Sequence, residues 1–377
     1  MKFTAIICEF NPLTKGHEYI IQEAKRITKR PLICLMSGNF VQRGEPAILD
    51  KYTRASHAIK AGADLVIELP TIYSLSSAPD FAFGAIKTLN AIGCVENLVF
   101  GSECGNLELL IKEAESSQTS SEIRLKLNQG MSYASAISSS SDILSSPNNV
   151  LGVEYIKALK STNSKIKPIT IKRENNYNNT TLSNLSSATA LRKLLKEENY
   201  EQFKENAPLY STEDVSAYCY STTIEKLIEY KIKSMNMIDI SKINGTSEGV
   251  EFRIVERLNC CGDIKKRIDE IKTKRYPESK IKRILINCLL DIKKEDVVLA
   301  KNNHSEYLKI LAINKNQTRL LSSLPQELVV TGKKDYLKLN EFSKKIIDFD
   351  MQASKVYSCI KDDYSALSDY TTGMKKI

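Results

Sequence analysis

The sequence predicts an α/β fold, with a Rossmann-like parallel sheet over residues 1–199 and a mainly α-helical domain over residues 200–377. Three observations carry this. Short apolar runs alternate with helical patterns through the first half, as a parallel sheet with crossover helices requires. The first apolar run is followed by a glycine-containing turn and an amphipathic helix, the start of a βαβ unit. Beyond Tyr200 long helical patterns dominate, glycine becomes rare and period-two alternation nearly disappears.

In chain order, Phe3–Cys8 reads as the first strand. A helix opens at His17, with Ile20, Ile21, Ala24 and Ile27 at helical spacing. Further strands are expected at Leu32–Met36, Leu65–Glu68, Asn97–Phe100 and Ile166–Ile171, with helices at Lys51–Ala61, Asp80–Ile92, Asn106–Ser116 and Leu151–Ser161. Serine-rich stretches, Ser116 to Ser121 and Ser138 to Ser146, bound a helical excursion at Glu122–Ile137. Ser186-Ser187-Ala188-Thr189 is a capped entry to the helix Ala190–Glu198. The helical domain is expected to build its core from runs such as Ile284–Leu290 and Tyr307–Ile313.

Composition narrows the class. A length of 377 residues suits two domains, and 42% hydrophobic residues supports a real core. No apolar run approaches membrane-spanning length, and no basic-then-apolar leader opens the chain, so a cytoplasmic protein without membrane association is expected. Nine cysteines without CxxC spacing and only three histidines point to reduced thiols and to no dedicated metal site. The net charge of +9 is concentrated in part between Ile264 and Arg283, where nine Lys/Arg stand against Asp269, Glu270 and Glu278. Such a stretch suits a polyanion, or equally the solvated face of a surface helix.

The chemistry gathers at the ends of the expected strands, where doubly wound sheets bind ligands. Asn11-Pro12-Leu13-Thr14-Lys15-Gly16-His17-Glu18 joins the first strand to its helix, and a helix N-terminus with a histidine donor suits phosphate. On physics alone a plain βα-turn with a solvent-facing histidine fits as well. After the second strand, Met36 to Ala47 holds two glycines, Gln42 and Arg43 in a candidate ligand-facing loop. Glu68 ends the third strand with a carboxylate that is either catalytic or the cap of a neighbouring turn, the structural role being preferred. Gly101 follows the fourth, Asn148 and Asn149 open a helix, and Lys172-Arg173 follow the fifth. Thr189 and Arg192 stand at another helix mouth, where fixed donors suit a triphosphate.

The set ExNPxxxGH, MSGxFxQRGEPA, GADLVIELP, FGSE, SPNNxLGxEYIKAL and SSATALR, in this order, resembles the tRNA(Met) cytidine acetate ligase family, within the nucleotidyltransferases that carry an [HT]xGH signature. Thr273–Leu285 resembles the TKRYT-type motif of that family's helical domain, and the likeness weakens beyond about residue 290. The resemblance implies an acid–amine ligase. Acetate and ATP, entering as Mg-ATP, would form acetyl-adenylate and pyrophosphate. The acetyl group would then pass to N4 of the wobble cytidine of elongator tRNA(Met), releasing AMP. Carried over residue by residue, it implies ATP contacts at Ile7, Cys8, Glu9, Phe10, Asn11, Pro12, Leu13, Thr14, Lys15, Gly16, His17, Glu18, Tyr19 and Ile20. It adds Gly101, one of Asn148 and Asn149 (Asn148 by spacing), and Arg173. The catalytic, phosphate-side residues would be Thr14, His17, Thr189 and Arg192; the tRNA contacts would include Lys274, Arg275, Lys282 and Arg283.

Two positions depart from the family pattern. Thr14 stands where histidine is common, and Pro277 replaces a threonine in the TKRY segment. A small-molecule adenylyl- or cytidylyltransferase and a non-catalytic nucleotide- or RNA-binding relative are the alternative readings. No residue stands out in the sequence as the acetate pocket or as the base for the cytidine amine.

Overall fold

A computed structural model describes residues 1–119, 121–173, 187–214, 222–258, 263–303, 306–361, 369 and 372–377. Ser186 of the SSATALR motif lies outside them. The first strand, β1 (Phe3–Cys8), lies in the middle of the sheet with β2 (Leu32–Ser37) on one side. A short ribbon of β3 (Phe40–Val41) and β4 (Glu45–Pro46) decorates the loop after β2. Next come β5 (Leu65–Leu69), β6 (Val95–Ser102) and β7 (Lys167–Lys172). Three short pieces complete the set: β8 (Leu308–Ile313), β9 (Val329–Val330) and β10 (Lys375–Lys376). The sheet order is β10-β8-β5-β2-β1-β6-β7, with β9 beside β8, and all pairs are parallel except β5 with β8.

The chain therefore runs outward from β1 through β2 to β5, then returns to the other side of β1 for β6 and β7. That reversal makes a switch point between β1 and β6, and a crevice opens there beyond the strand ends. Alternation along β1 sends Ala5 to one face and Ile6 and Cys8 to the other. Helix α1 (Lys15–Thr28) and helix α2 (Lys51–Lys60) cover the second face with Ile21, Ala24, Ala55 and Ala58. Helices α3 (Ala78–Ile92), α4 (Leu107–Thr119) and α5 (Pro147–Ser161) cover the first with Phe81, Leu89, Leu110 and Val153.

Three expectations need correction. Tyr307–Ile313 is not part of a helical core; Leu308–Ile313 is strand β8, buried along its whole length and paired antiparallel with β5. A short apolar run looks the same in a buried strand and a buried helix, and only the partner strand decides. Glu122–Ile137 is two helices, Ser121–Asn128 and Tyr133–Ser138, separated at Gly130, whose φ of 84° no helix accommodates. Finally, α1 starts at Lys15 with Thr14 as its cap, so His17 is its third residue, and Ile27 is exposed rather than packed.

The return of the C-terminal segment to the sheet is held by charge as well as by strand pairing. Lys51 Nζ, 1% exposed, lies 2.8 Å from both Glu68 oxygens and 2.9 Å from Asp369. Lys309 of β8 pairs with the same two carboxylates. Glu68 thus serves the fold, in a buried ion cluster and not as the cap of a neighbouring turn.

Candidate active site

Residues after β1 and β6, the loop after β2 and the start of α6 (Ala188–Lys196) enclose a cavity of about 230 Å³ at the switch point. Its α1 side is built from a reciprocal cap. Thr14 Oγ1 accepts the His17 amide at 3.2 Å, while His17 Nδ1 accepts the Thr14 amide at 3.1 Å. Because Nδ1 receives a hydrogen, the neutral ring carries its own proton on Nε2. Burial, reinforced by the nearby Arg173 charge, pushes the His17 pKa down to about 3, so the ring is a neutral donor at physiological pH. Phe10, at a ring-centroid distance of 5.2 Å, packs against it. Thr14 therefore does two things: its oxygen caps α1, and its hydroxyl hydrogen remains available to the cavity.

The opposite wall is α6. Ser187 caps it by accepting the Ala190 amide at 3.1 Å. One turn in, Arg192 donates to the Asn11 carbonyl at 2.6 Å and to Thr189 Oγ1 at 3.2 Å. Arg192 thus clamps the loop after β1 to the mouth of α6, and both it and Thr189 line the cavity. Arg54, fully buried, does similar work underneath. It donates to the carbonyls of Glu9 (2.6 Å), Ser37 (3.1 Å), Leu49 (3.0 Å) and Gly38, tying the ends of β1 and β2 to α2. Nothing local in the sequence marks Arg54, because its four acceptors come from three separate segments.

On the β6 side, Gly101 lies under a close approach of side chains. A Cβ there would meet Arg173 Cγ and Ile20 Cδ1, each at 3.0 Å. The adjacent asparagines separate. Asn148 lines the cavity and donates to Glu103 Oε1 at 2.6 Å. Asn149 is buried away from it, accepting the Glu103 and Cys104 amides and donating to the Ile143 carbonyl. The Glu103 carboxylate also accepts the Asn149 amide at 3.0 Å, so the mouth of α5 already holds an anion from its own chain.

Of the loop-and-helix stretch expected at ATP, Ile7, Cys8, Glu9, Phe10, Asn11, Thr14, Gly16, His17, Tyr19 and Ile20 line the cavity, with Gly101, Asn148 and Arg173. The other expected positions, Pro12, Leu13, Lys15, Glu18 and Asn149, are not on its wall. Leu13 is core, and the Lys15 ammonium reaches the Glu205 carbonyl at 2.7 Å. Phe81, which carries no signal in the sequence beyond that of a helical core residue, and Tyr155, which lies in the SPNNxLGxEYIKAL motif without being singled out as a contact, do line it. Gln42 and Arg43, in the loop that the sequence marks as ligand-facing, and Lys172, at the end of β7, also line it.

The four expected tRNA contacts also divide. Lys274 is exposed, and Arg275 is paired with Glu248. Lys282 pairs with Glu45 and Glu278, and Arg283 donates to the Gln42 carbonyl at 3.0 Å. The latter two thus brace the helix Glu278–Leu290 against the loop after β2 instead of facing outward. Arg267, also in the basic stretch, is buried and donates to the Leu258 carbonyl. Pro277 sits immediately before the helix Glu278–Leu290, where its missing amide costs nothing, so it neither bends nor ends a helix.

Among the described residues no group of three His, Cys, Asp or Glu side chains is placed to hold a metal ion, and no helix is long and apolar enough to cross a membrane.

A family profile described as HIGH Nucleotidyl Transferase matches residues 1–370. The chain is 37% identical to the tRNA(Met) cytidine acetate ligase of Clostridium acetobutylicum and 36% identical to that of Clostridium kluyveri, over 98% of each chain in both cases. The crystal structure of apo Thermotoga maritima TmcAL superposes with a TM-score of 0.91 at 29% identity, covering 100% of both chains. A second crystal form of that protein, bound with alpha-thio ATP, gives a TM-score of 0.87 at 29% identity over 97% of this chain and 96% of that one. With the motifs, the switch-point cavity and these end-to-end likenesses together, the chain belongs to the HIGH nucleotidyl transferase family and, within it, to the tRNA(Met) cytidine acetate ligases.

Proposed function

We propose that this chain activates acetate with ATP and transfers the acetyl group to N4 of the wobble cytidine of elongator tRNA(Met). The observation that carries the reading is the full-length likeness to a protein solved with an ATP analogue, joined to ligases of that name at 36–37% identity. In the first step an acetate oxygen attacks the α-phosphorus of ATP. A P–O bond to acetate forms, the bond to the β-phosphate oxygen breaks, and pyrophosphate leaves. The His17 Nε2–H and the Thr14 hydroxyl donate to the phosphate where charge builds, and the Thr189–Arg192 wall faces the departing pyrophosphate. A neutral imidazole is an effective donor here without being a competing cation. Mg²⁺ enters this reading only with the nucleotide.

Residues 1–199 supply this chemistry, and the helical stretch that begins at residue 200 offers the tRNA a surface. Its outward cations are Lys265, Lys266, Lys272 and Lys274, all exposed, with Arg275 beside them. The test is incubation with labelled acetate, ATP and tRNA. Label should enter tRNA only when ATP is present, with AMP and pyrophosphate as co-products and loss of labelling when the wobble cytidine is replaced by uridine. Release of ADP, or acetylation from acetyl-CoA without ATP, overturns the mechanism. A small-molecule nucleotidyltransferase would show exchange without any tRNA product.

A further inference from the structure

The transfer step needs a proton acceptor, since the cytidine amine must lose a proton on becoming an amide. Of the described residues that line the cavity, Glu9 alone carries a carboxylate. It stands one residue beyond β1, with its main-chain carbonyl held by Arg54 at 2.6 Å and its Oε1 accepting the Gln42 amide at 2.7 Å. An ionised carboxylate accepts about four hydrogen bonds, so Glu9 has acceptor capacity beyond the Gln42 bond.

The other candidates are unsuited to taking a proton. His17 uses Nδ1 for the Thr14 amide and presents only a donor. The Cys8 thiol donates to the Leu35 carbonyl, and burial raises it further from ionisation. Tyr155, which lines the same cavity, is likewise raised by burial, with the Glu9 charge adding to the effect. Lys and Arg side chains on the rim are donors. Phe100 stands edge-on to Tyr155 at 5.7 Å, and with Phe81 they give the cavity an aromatic wall suited to a planar base.

We propose that Glu9 accepts the N4 proton of the cytidine as that nitrogen attacks the acetyl carbonyl of acetyl-adenylate. The inference rests on reading the chain as an acetate ligase. The N4–C bond forms, the carbonyl-carbon–oxygen bond to the phosphate breaks, and its electron pair leaves on AMP. The proton from N4 goes to the carboxylate and then to solvent. Burial raises the Glu9 pKa from its usual value, while the Gln42 amide and the Arg54, Arg192 and Arg43 charges pull it down; Cys8 and Tyr155 are the other titratable groups that face it. The net direction is upward, so the ionised carboxylate is a stronger base than an exposed one.

The experiment is single-turnover acetyl transfer from pre-formed acetyl-adenylate to tRNA(Met), followed against pH for the wild-type enzyme, Glu9→Gln and Glu9→Asp. Gln is isosteric and can still accept the Gln42 amide. Wild-type transfer should fall on an acid limb as Glu9 protonates. Glu9→Gln should transfer about 100-fold or more slowly, the scale of a lost general base, and should lack that limb. Glu9→Asp should keep the limb at an intermediate rate. Transfer by Glu9→Gln within about threefold of wild type, or with the limb intact, overturns the proposal. So does an equal loss in acetyl-adenylate formation or tRNA affinity on the same preparation, since that would place Glu9 at ATP or in the scaffold. Failure of the wild-type enzyme itself to transfer from acetyl-adenylate overturns the functional reading instead, and the proposal with it.

Discussion

Substituting His17 separates the scaffold from the chemistry. Its ring accepts the Thr14 amide at 3.1 Å, and its own amide donates to Thr14 Oγ1 at 3.2 Å, so the imidazole both caps α1 and presents Nε2–H to the cavity. His17→Ala removes one cap bond, at about 1 kcal/mol of stability. It also removes a donor aimed at developing charge, about 2.7–4 kcal/mol or 100- to 1,000-fold in rate. His17→Asn can accept the Thr14 amide through its side-chain carbonyl, but its amide nitrogen falls short of the Nε2 position. Urea unfolding should therefore show His17→Asn close to wild type and His17→Ala lower, while both lose acetate-dependent ATP–pyrophosphate exchange. The pH dependence adds a second check. Burial and the Arg173 charge hold the His17 pKa near 3, below the unfolded value of 6.5, so the ring is neutral down to about that pH. Exchange should not titrate with His17 between about pH 5 and 8. Near-normal exchange by folded His17→Ala would refute the site. So would a His17-dependent fall in rate as pH rises through about 6.5, because it would show that the imidazolium does the work.

Three more outcomes follow. Lys51→Met takes one of two cations from the Glu68 and Asp369 carboxylates, at 1% and 2% exposure, and leaves two buried negative charges to Lys309; it should cost about 3–5 kcal/mol in denaturation, with Glu68→Leu recovering much of it in the double variant. Gly101→Ala drives a Cβ to 3.0 Å from Arg173 and Ile20, which line the cavity, and displacing them should raise the KM for ATP in exchange assays, by up to about 5- to 140-fold where the whole overpacking of about 1–3 kcal/mol falls on nucleotide binding. Replacing Lys265, Lys266, Lys272 and Lys274 with Gln should weaken tRNA binding and flatten its salt dependence, by about 0.7–0.9 in log–log slope for each phosphate no longer neutralised; Lys282→Gln, which breaks an internal pair, should leave the slope alone in filter binding.

Much of this site was visible in the chain because its parts are local. The Thr14–His17 cap is an i, i+3 relation, and the hydroxyl–imidazole spelling after an apolar run already contains its geometry. The strand ends carrying Gly101 and Arg173 were found from periodicity alone. Asn148 and Asn149 show where local reading stops. Successive helical residues point about 100° apart, and which one faces the crevice depends on how α5 is rolled against β6. Lys274 and Lys282 show the same thing for charge, since the sequence marks both as cations and only the docking of a helix onto Glu45 turns one inward.

By itself, then, the sequence determined the family, the parallel sheet through β7 and the helix mouths of the cavity. These rest on hydrogen bonds and side-chain periods that span a few residues, and backbone geometry repeats them wherever the pattern occurs. Tertiary structure alone decided that β8 joins β5, that Lys51 meets Asp369 across 318 positions, and that Arg54 gathers Glu9 and Ser37 from two different strand ends. A buried charge is stable only beside its counter-charge, and a buried strand only beside another strand's amides and carbonyls. Nothing in either segment names a partner so far along the chain; the fold supplies it.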